Sequence, residues 1–153
     1  MDKPRLAPAG PDDLEVLLPL VRAYHEFEGV SLSDGARRAA VARLLGNKEL
    51  GAIWLISVGG AVVGYVALCF GYSIEFGGRD AFVDELFILE PHRGQGIGRA
   101  ALAAVRDEAA SLALGALHLE VDRENHRARS LYRSLGFESR ERFHLMSRRF
   151  GSD

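Results

Sequence analysis

The residues best suited to chemistry lie in the run FVDELFILEPHRGQGIGR, from Phe82 to Arg99. Two acids, Asp84 and Glu85, interrupt an apolar stretch that otherwise predicts a buried strand. A charged side chain is costly in such a place unless it is paired or used. The two acids are therefore candidates for taking up a proton or for binding a cation.

After that stretch every second residue is glycine, at Gly94, Gly96 and Gly98. Glycine adopts positive φ and lets the backbone approach a ligand closely, and the first N–H groups of a following helix carry the positive end of its dipole. Arg93 and Arg99 flank the turn. The pattern predicts a site for phosphate or pyrophosphate; the alternative is a tight connection whose glycines serve only packing.

The surrounding elements predict how this turn is held. Gly59-Gly60 between two apolar runs predicts a hairpin, Pro11-Asp12-Asp13 predicts a helix start, and Pro19 predicts a kink or break in that first helix. Gly115 suits the position after a helix end. The predicted strands are residues 5–9, 52–58, 61–72, 82–89, 116–122, 137–142 and 144–150, and the predicted helices are residues 11–27, 34–45, 97–114 and 125–135.

A strand, helix and strand in succession imply that strands 82–89 and 116–122 are parallel. The strand order therefore predicts an α/β fold: a central mixed, mostly antiparallel sheet flanked by helices, with one parallel crossover at the glycine turn. No composition shift suggests a boundary, so residues 1–153 are predicted to form one domain.

Composition limits the class of protein. The chain has 153 residues, 48% of them hydrophobic and 26% charged, with a formal net charge of -2. This charge argues against a general nucleic-acid binder, which is usually basic. Cys69 is the only cysteine, and the sequence has neither a signal-peptide core nor an apolar run of membrane-spanning length. These features predict a cytoplasmic protein without a disulfide.

Other chemistries fit the residues less well. The dinucleotide fingerprint G-x-G-x-x-G would need glycine where Arg99 or Ala101 stands. No Gly-Lys-Ser/Thr follows the turn, as a nucleoside triphosphate loop requires, and there is no G-x-S-x-G elbow. The five histidines are scattered without an i, i+4 pair, so no metal site is predicted.

A second constellation follows the strand that is predicted to end at Asp122. It reads Asn125-x-x-Ala128-x-x-x-Tyr132-x-x-x-Gly136-Phe137. Residues three and four apart share one face of a helix. Taken alone, the pattern favours a short docked helix with a half-buried tyrosine over a binding element.

The two segments RGQGIG and N-x-x-A-x-x-x-Y-x-x-x-G-F together resemble the signature segments of the GNAT superfamily of acyl-CoA N-acyltransferases. The first is similar to that family's acyl-CoA turn, Arg/Gln-x-x-Gly-x-Gly/Ala, here Arg93, Gly96 and Gly98. The order of elements matches along nearly the whole chain. Pro91 stands one place later than in many members, which have proline where Glu90 stands.

The resemblance implies acetyl-CoA as the cofactor and assigns roles to individual residues. The backbone of the turn would hold the pyrophosphate, strand residues would bind the pantetheine arm in a gap between two strands, and Asn125 would contact that arm. Tyr132 would sit by the sulfur as general acid. The implied cofactor-binding residues are Phe87, Ile88, Leu89, Arg93, Gly94, Gln95, Gly96, Ile97, Gly98, Arg99, Asn125 and Tyr132.

The acceptor must be a neutral amine when it attacks, although alkylamines are mostly protonated at pH 7, so a carboxylate is expected as the base. Polyamine-type members have an acidic pair at the matching places, which favours Asp84, with Glu85 as the second candidate. Alternation along a strand predicts that only one of the two acids faces the substrate. The alternative is that both acids pair with nearby arginines.

In this family the first two helices and the connection before the central strand set substrate choice. Their acidic and aromatic residues would suit a cationic amine. The candidate substrate residues are Tyr24, Glu26, Glu28, Tyr72, Glu75 and Asp84.

The sequence thus predicts an N-acetyltransferase acting on a primary amine of a small molecule, a polyamine or similar cation being one possibility. Acetylation of a protein N-terminus or lysine, and a non-catalytic acyl-CoA-binding regulatory module, are the alternatives. A homodimer is expected because dimers are common in the family, and neither nucleic acid nor membrane is an expected partner.

Overall fold

The computed structural model describes residues 2–151, and its centre is a sheet in the order β1-β2-β3-β4-β5. The predicted domain, residues 1–153, extends beyond the described residues at both ends. Within them the strands are β1 (Arg5–Pro8), β2 (Gly51–Val58), β3 (Ala61–Ser73), β4 (Gly78–Ile88) and β5 (Ala116–His118). The helices are α1 (Leu14–Glu28), α2 (Asp34–Leu45), α3 (Ile97–Ser111) and α4 (His126–Ser134).

The pairing of the strands confirms the predicted fold class. β1, β2, β3 and β4 pair antiparallel in succession, whereas β4 and β5 are parallel. Gly59 and Gly60 both have positive φ, as a two-residue hairpin turn between β2 and β3 requires. The chain therefore has an α/β fold with one parallel crossover, and α3 lies within that crossover.

Apolar side chains cover both faces of the sheet. On one face Tyr65, Ala67 and Phe87 pack with Leu17 and Val21 of α1 and with residues of α2. On the other face Val66, Leu68 and Ala81 pack with Ile97, Ala101 and Val105 of α3. We call these the α1 face and the α3 face. Alternation along β3 explains the division, because successive strand residues point to opposite sides.

Two helix predictions are refined by the structure. Pro19 lies inside α1, yet α1 runs unbroken from Leu14 to Glu28, so the predicted break does not occur. The burial of Leu17, Leu20 and Val21 on the α1 face holds the helix together despite the missing N–H. The helix α3 ends at Ser111, with Ala113 in the left-handed region, so the prediction that Gly115 follows the helix end directly is wrong.

The predicted strands 137–142 and 144–150 are wrong, because neither segment forms a strand in the structure. Their residues lack the alternation of a half-buried strand: charged side chains follow one another at Arg140, Glu141 and Arg142. The guanidinium groups of Arg140 and Arg142 stack on the Phe143 ring instead, at 5.0 and 5.3 Å from its centroid. The strand predicted at 116–122 is also shorter, ending at His118.

The chain divides into two compact units, one ending at Glu120 and the other beginning at Val121. The first unit contains the whole sheet with α1, α2 and α3, and the second contains α4. No helix among residues 2–151 has the length and apolar character that a bilayer-crossing segment needs.

Candidate active site

The glycine turn before α3 takes the backbone conformation that its sequence predicts. Gly94 has φ 74° and Gly96, the N-cap of α3, has φ 81°. Both values lie in the left-handed region, which costs a residue with a Cβ about 1–2 kcal/mol. Glycine is therefore required at these two positions by the shape of the turn itself.

Gly98 is different, because nothing in the protein requires glycine there. It is the second residue of α3 with no positive φ, and a Cβ built on it would meet no protein atom within 4 Å. The same open space lies in front of Gly94 and Gly96. Packing alone does not explain the three glycines, and the turn presents bare backbone to an open surface.

The first turn of α3 also lacks the groups that normally satisfy a helix start. Its N-cap, Gly96, offers no side chain, and no acidic residue lies in the first turn, which instead carries Arg99. The N–H groups of a first helical turn have no partner within the helix. The start of α3 thus combines directed N–H donors with positive charge, which suits an anion.

Arg93 and Gln95 brace the turn from either side of Gly94. The Arg93 Nε donates to the carbonyl oxygen of Ile88 at 2.8 Å, and the Gln95 amide donates to the carbonyl oxygen of Pro91 at 3.2 Å. The Arg93 guanidinium also lies over the rings of Phe27 and Phe87, at 4.8 and 5.3 Å from their centroids. Arg93 therefore ties the turn to the end of α1 as well as adding charge.

The last residues of β4 form an edge that β5 leaves uncovered. Pairing with β5 involves Asp80, Ala81 and Phe82 alone among the described residues, whereas β4 continues to Ile88. Phe87 and Ile88 pair with β3 on the other side, and the Leu89 N–H donates to the Val63 carbonyl oxygen at 2.8 Å. Beyond Phe82 this edge of β4 has no strand partner among the described residues, although the Ile88 carbonyl oxygen accepts from Arg93. The resemblance implied the gap for the pantetheine arm at this place.

Asp84 and Glu85 lie on the same face of the sheet, so the strand alternation on which the prediction of a single substrate-facing acid was based does not hold at this position. Ala67 pairs with Glu85 while Leu68 pairs with Val83, so Asp84 is the extra residue of a β-bulge. Val83 packs on the α3 face, whereas Glu85 contacts Tyr65 of the α1 face. The bulge shifts the alternation by one residue, and both carboxylates project on the α1 side.

Glu85 is held by two donors. The Tyr65 hydroxyl donates to its Oε1 at 2.7 Å, and the His25 Nε2 lies 2.7 Å from its Oε2. Burial, together with the charge of Glu85 and this hydrogen bond, raises the pKa of Tyr65 above its usual range. The predicted alternative, pairing of the acids with arginines, does not describe Glu85, whose partners are a tyrosine and a histidine.

Asp84 is exposed. Its carboxylate contacts the thiol of Cys69. Burial, the charge of Asp84 and a hydrogen bond with its carboxylate raise the pKa of Cys69 to about 11. Cys69 follows Ala67 by two residues, so it lies on the α1 face as well. A thiol with this pKa stays protonated at neutral pH and is a poor nucleophile.

The structure places the predicted substrate residues in different surroundings. Tyr24 packs against the rings of Tyr65 and Phe87, with centroid distances of 6.4 and 5.7 Å, and thus lies beside the Glu85 network. Glu26 pairs on the surface with Arg22 at 3.3 Å. Tyr72, Glu75 and Glu28 are exposed, and Tyr72 pairs in register with Arg79, five residues before Asp84 on β4.

The second unit holds Asn125 and Tyr132. Asn125 is the N-cap of α4, and its Oδ1 accepts a hydrogen bond from the Ala128 N–H at 3.1 Å. Tyr132 lies on α4 with its ring edge-on to Phe137, at a centroid distance of 6.2 Å. Burial raises the pKa of Tyr132, so its phenol remains a proton donor beyond the usual tyrosine range.

Sequence reasoning missed the partners of Glu85. His25 falls on the apolar stripe of α1, four residues after Val21, and this position is the one signal that it is buried. Tyr65 lies in an apolar strand without any signal of a polar role. Arg37 is 6% exposed, and its position four residues before Val41 and eight before Leu45, both buried on α2, is the corresponding signal in the sequence. Among residues 2–151, no group of three or more histidine, cysteine, aspartate or glutamate side chains could hold a metal ion.

Comparison with known proteins gives a family match that includes the glycine turn and most of α1 and α4. Residues 18–137 match the acetyltransferase (GNAT) family. An uncharacterized N-acetyltransferase of Bacillus subtilis (strain 168), YhfO, is 29% identical over 127 residues, which cover 82% of this chain and 84% of that protein.

Two further proteins extend the comparison. The thialysine N-epsilon-acetyltransferase of Bos taurus is 36% identical over 78 residues, covering 51% of this chain and 45% of that protein. Among solved structures, the integron cassette protein HFX_CASS3 from the mobile metagenome of Cole Harbour Salt Marsh is similar with a TM-score of 0.83. It is 34% identical, and the match covers 96% of this chain and 91% of that one.

Proposed function

The chain belongs to the acetyltransferase (GNAT) family and is an acetyl-CoA-dependent N-acetyltransferase, and we propose that its acceptor is a primary amine of a small cationic molecule. The observation that carries the proposal is the pair of carboxylates, Asp84 and Glu85, which the β-bulge brings to one side of β4. The Tyr24 ring packs on Tyr65, whose hydroxyl donates to Glu85, and carboxylates near aromatic rings suit a positively charged amine.

The glycine turn fits the diphosphate of the cofactor, because the start of α3 offers N–H donors without an internal cap or acid. We assign the pyrophosphate to residues 94–99 with Arg93, and the pantetheine arm to the open edge at Phe87, Ile88 and Leu89 and to Asn125. Bound acetyl-CoA would supply the thioester carbonyl that is attacked and the thiolate that leaves.

Asp84 is the proposed base. It is exposed and so can take a proton from an incoming ammonium group, directly or through water. Glu85 already accepts hydrogen bonds at both oxygens and is mostly covered, with a side-chain exposure of 20%. Its part is to provide a fixed negative charge that holds the amine near Asp84.

Tyr132 is the proposed acid. Its phenol holds a proton for the departing sulfur, and the raised pKa means that this proton is kept at neutral and mildly alkaline pH. A tyrosine has an ordinary pKa of about 10. We therefore expect no loss of kcat from deprotonation of Tyr132 below about pH 10.

Amine acceptors are also the class named for one relative, thialysine N-epsilon-acetyltransferase, whose name places the acetylated nitrogen at Nε. That likeness covers about half of this chain. It supports a side-chain-like primary amine as acceptor, and the two neighbouring carboxylates, Asp84 and Glu85, support a cation.

The test is a thiol-release assay with acetyl-CoA and matched acceptors: linear diamines, thialysine and lysine, an N-terminal peptide, and a neutral and an acidic amine. We expect turnover with the cationic small amines. Turnover confined to the peptide, or to neutral and acidic amines, would refute the proposal. Acetyl-CoA binding measured by calorimetry without any turnover would point to the non-catalytic module.

Variants assign the roles in the same assay. Asp84→Asn should lower kcat, Glu85→Gln should chiefly raise KM for the amine, and Tyr132→Phe should lower kcat by roughly 100-fold, the low end of what a general acid contributes. The Kd for acetyl-CoA should stay near the wild-type value in Asp84→Asn and Glu85→Gln. An unchanged kcat in Tyr132→Phe would remove the acid role.

The predicted homodimer and cytoplasmic location stay predictions. Sedimentation of the purified protein gives the oligomeric state.

A further inference from the structure

We propose that His25 and Arg37 are positioning residues for the acceptor site: they hold Glu85 in one orientation and keep its negative charge available for the amine. This inference rests on the proposed function. It comes from a chain of hydrogen bonds that links Arg37, His25, Glu85 and Tyr65.

The chain of hydrogen bonds fixes which nitrogen of His25 carries hydrogen. The Arg37 Nε is 3.1 Å from the His25 Nδ1, and a guanidinium can only donate. The Nδ1 must therefore accept, so the ring hydrogen is on Nε2, which donates to Glu85 Oε2 at 2.7 Å. In this arrangement His25 is a neutral donor.

The neutral state of His25 matters because of its effect on Glu85. A cationic imidazolium would carry hydrogen on both nitrogens. Its Nδ1–H would then face the Arg37 Nε–H, donor against donor, and its positive charge would cancel the charge of Glu85. With Arg37 in place, both partners of Glu85, His25 and Tyr65, are neutral donors. The carboxylate then keeps a full negative charge in a fixed orientation.

Arg37 is held rigidly for this task. It is 6% exposed, its Nη1 donates to Asp34 Oδ1 at 2.7 Å, and its Nη2 donates to the Leu32 carbonyl oxygen at 2.9 Å. The charge of Arg37 is thus compensated by Asp34 rather than by Glu85. Since α2 carries Arg37 and α1 carries His25, the packing of these two helices decides the electrostatics of the acceptor site.

The first experiment determines the tautomer of His25 directly, by nitrogen-15 NMR of the His25 imidazole in the wild-type protein near neutral pH. We expect Nε2 to be protonated and Nδ1 to be unprotonated. Hydrogen on Nδ1, or on both nitrogens, would overturn the proposal. This measurement does not depend on any activity.

The second experiment compares His25→Phe with His25→Gln. Phenylalanine keeps a ring but no donor, whereas the glutamine amide can still donate to Glu85. We expect His25→Phe to raise KM for the cationic amine about tenfold or more, as loss of a hydrogen bond to a charged group predicts. His25→Gln should recover much of this loss, and KM for acetyl-CoA should stay unchanged in both.

The other possible results of this comparison would each count against the inference. Equal loss in both variants, or a parallel rise in KM for acetyl-CoA, would show a packing role and refute the inference. If His25→Phe does not fold, His25→Leu, which also lacks a donor, is measured alone and in the Glu85→Gln background. An equal rise in KM for the amine in both backgrounds would refute the proposal. If the wild type acetylates no amine, both the proposed function and the role of His25 in amine binding are refuted. If the wild type acetylates an amine and His25→Phe shows normal kinetics with it, only this inference is refuted.

Discussion

The N-termini of α2 and α3 differ in how the N-cap and first-turn residues treat the first N–H groups of the helix. At α2 the Ser33 Oγ accepts a hydrogen bond from the Ala36 N–H at 3.1 Å, and Asp34 lies in the first turn. At α3 the N-cap is Gly96, which has no side chain, and the first turn carries no acid. Helix α2 has a side-chain acceptor for one of its first N–H groups, whereas α3 has none, which fits the anion site proposed there.

This difference shows how the same physics is used for stability in one place and for binding in another. A cap and an acid stabilise a helix start by about 1 kcal/mol and by 0.3–1 kcal/mol respectively. Helix α3 forgoes both and relies on burial of Ile97, Ala101 and Leu102 instead. The missing cap of α3 is the feature on which the proposed phosphate site depends.

The strongest test of the comparison introduces an acid into α3. Gly98→Glu gives α3 the first-turn carboxylate that α2 has, and a like charge at about 4 Å costs about 4 kcal/mol at an effective dielectric constant of about 20. We expect acetyl-CoA binding, measured by calorimetry, to weaken roughly 100- to 1000-fold, while the unfolding midpoint is unchanged or raised because the acid favours the helix dipole.

Gly98→Gln is the matched control, with similar size and no charge, and should lose less affinity. If the glutamate variant binds acetyl-CoA as the wild type does, the start of α3 is not the phosphate site.

A second test compares glycine with alanine at the two helix starts. Gly96→Ala forces a Cβ into the left-handed region and should lower the free energy of unfolding by about 1–2 kcal/mol. Gly35→Ala, in the first turn of α2 with open space and no positive φ, should raise it by about 0.4–1 kcal/mol. Urea denaturation measures both, and equal effects at the two sites would contradict the assigned backbone strain.

The smallest expected effect is at the cap of α2. Ser33→Ala removes the acceptor for the Ala36 N–H and should cost about 1 kcal/mol of stability. Its Kd for acetyl-CoA should not change, because the α2 start is used internally. A weakened Kd with unchanged stability would reverse the roles given to the two helices.

The sequence by itself determined the features that depend on neighbouring residues. Glycine spacing predicted the turn at Gly94 and Gly96, since positive φ is a property of single residues. Gly59-Gly60 predicted the hairpin, and the spacing of Leu17 and Val21 predicted α1. Together with the second segment at Asn125 and Tyr132, these local signals were sufficient for the fold class, the family and the cofactor.

Tertiary structure alone decided the features that depend on distant partners. The bulge at Asp84 arises from the register of β4 against β3, and it breaks the alternation that the sequence alone would assign to the two acids. The burial of Arg37 and its bond to His25 depend on how α2 packs against α1. Charge, burial and hydrogen bonding around Glu85 are thus set by contacts between residues that are remote in sequence.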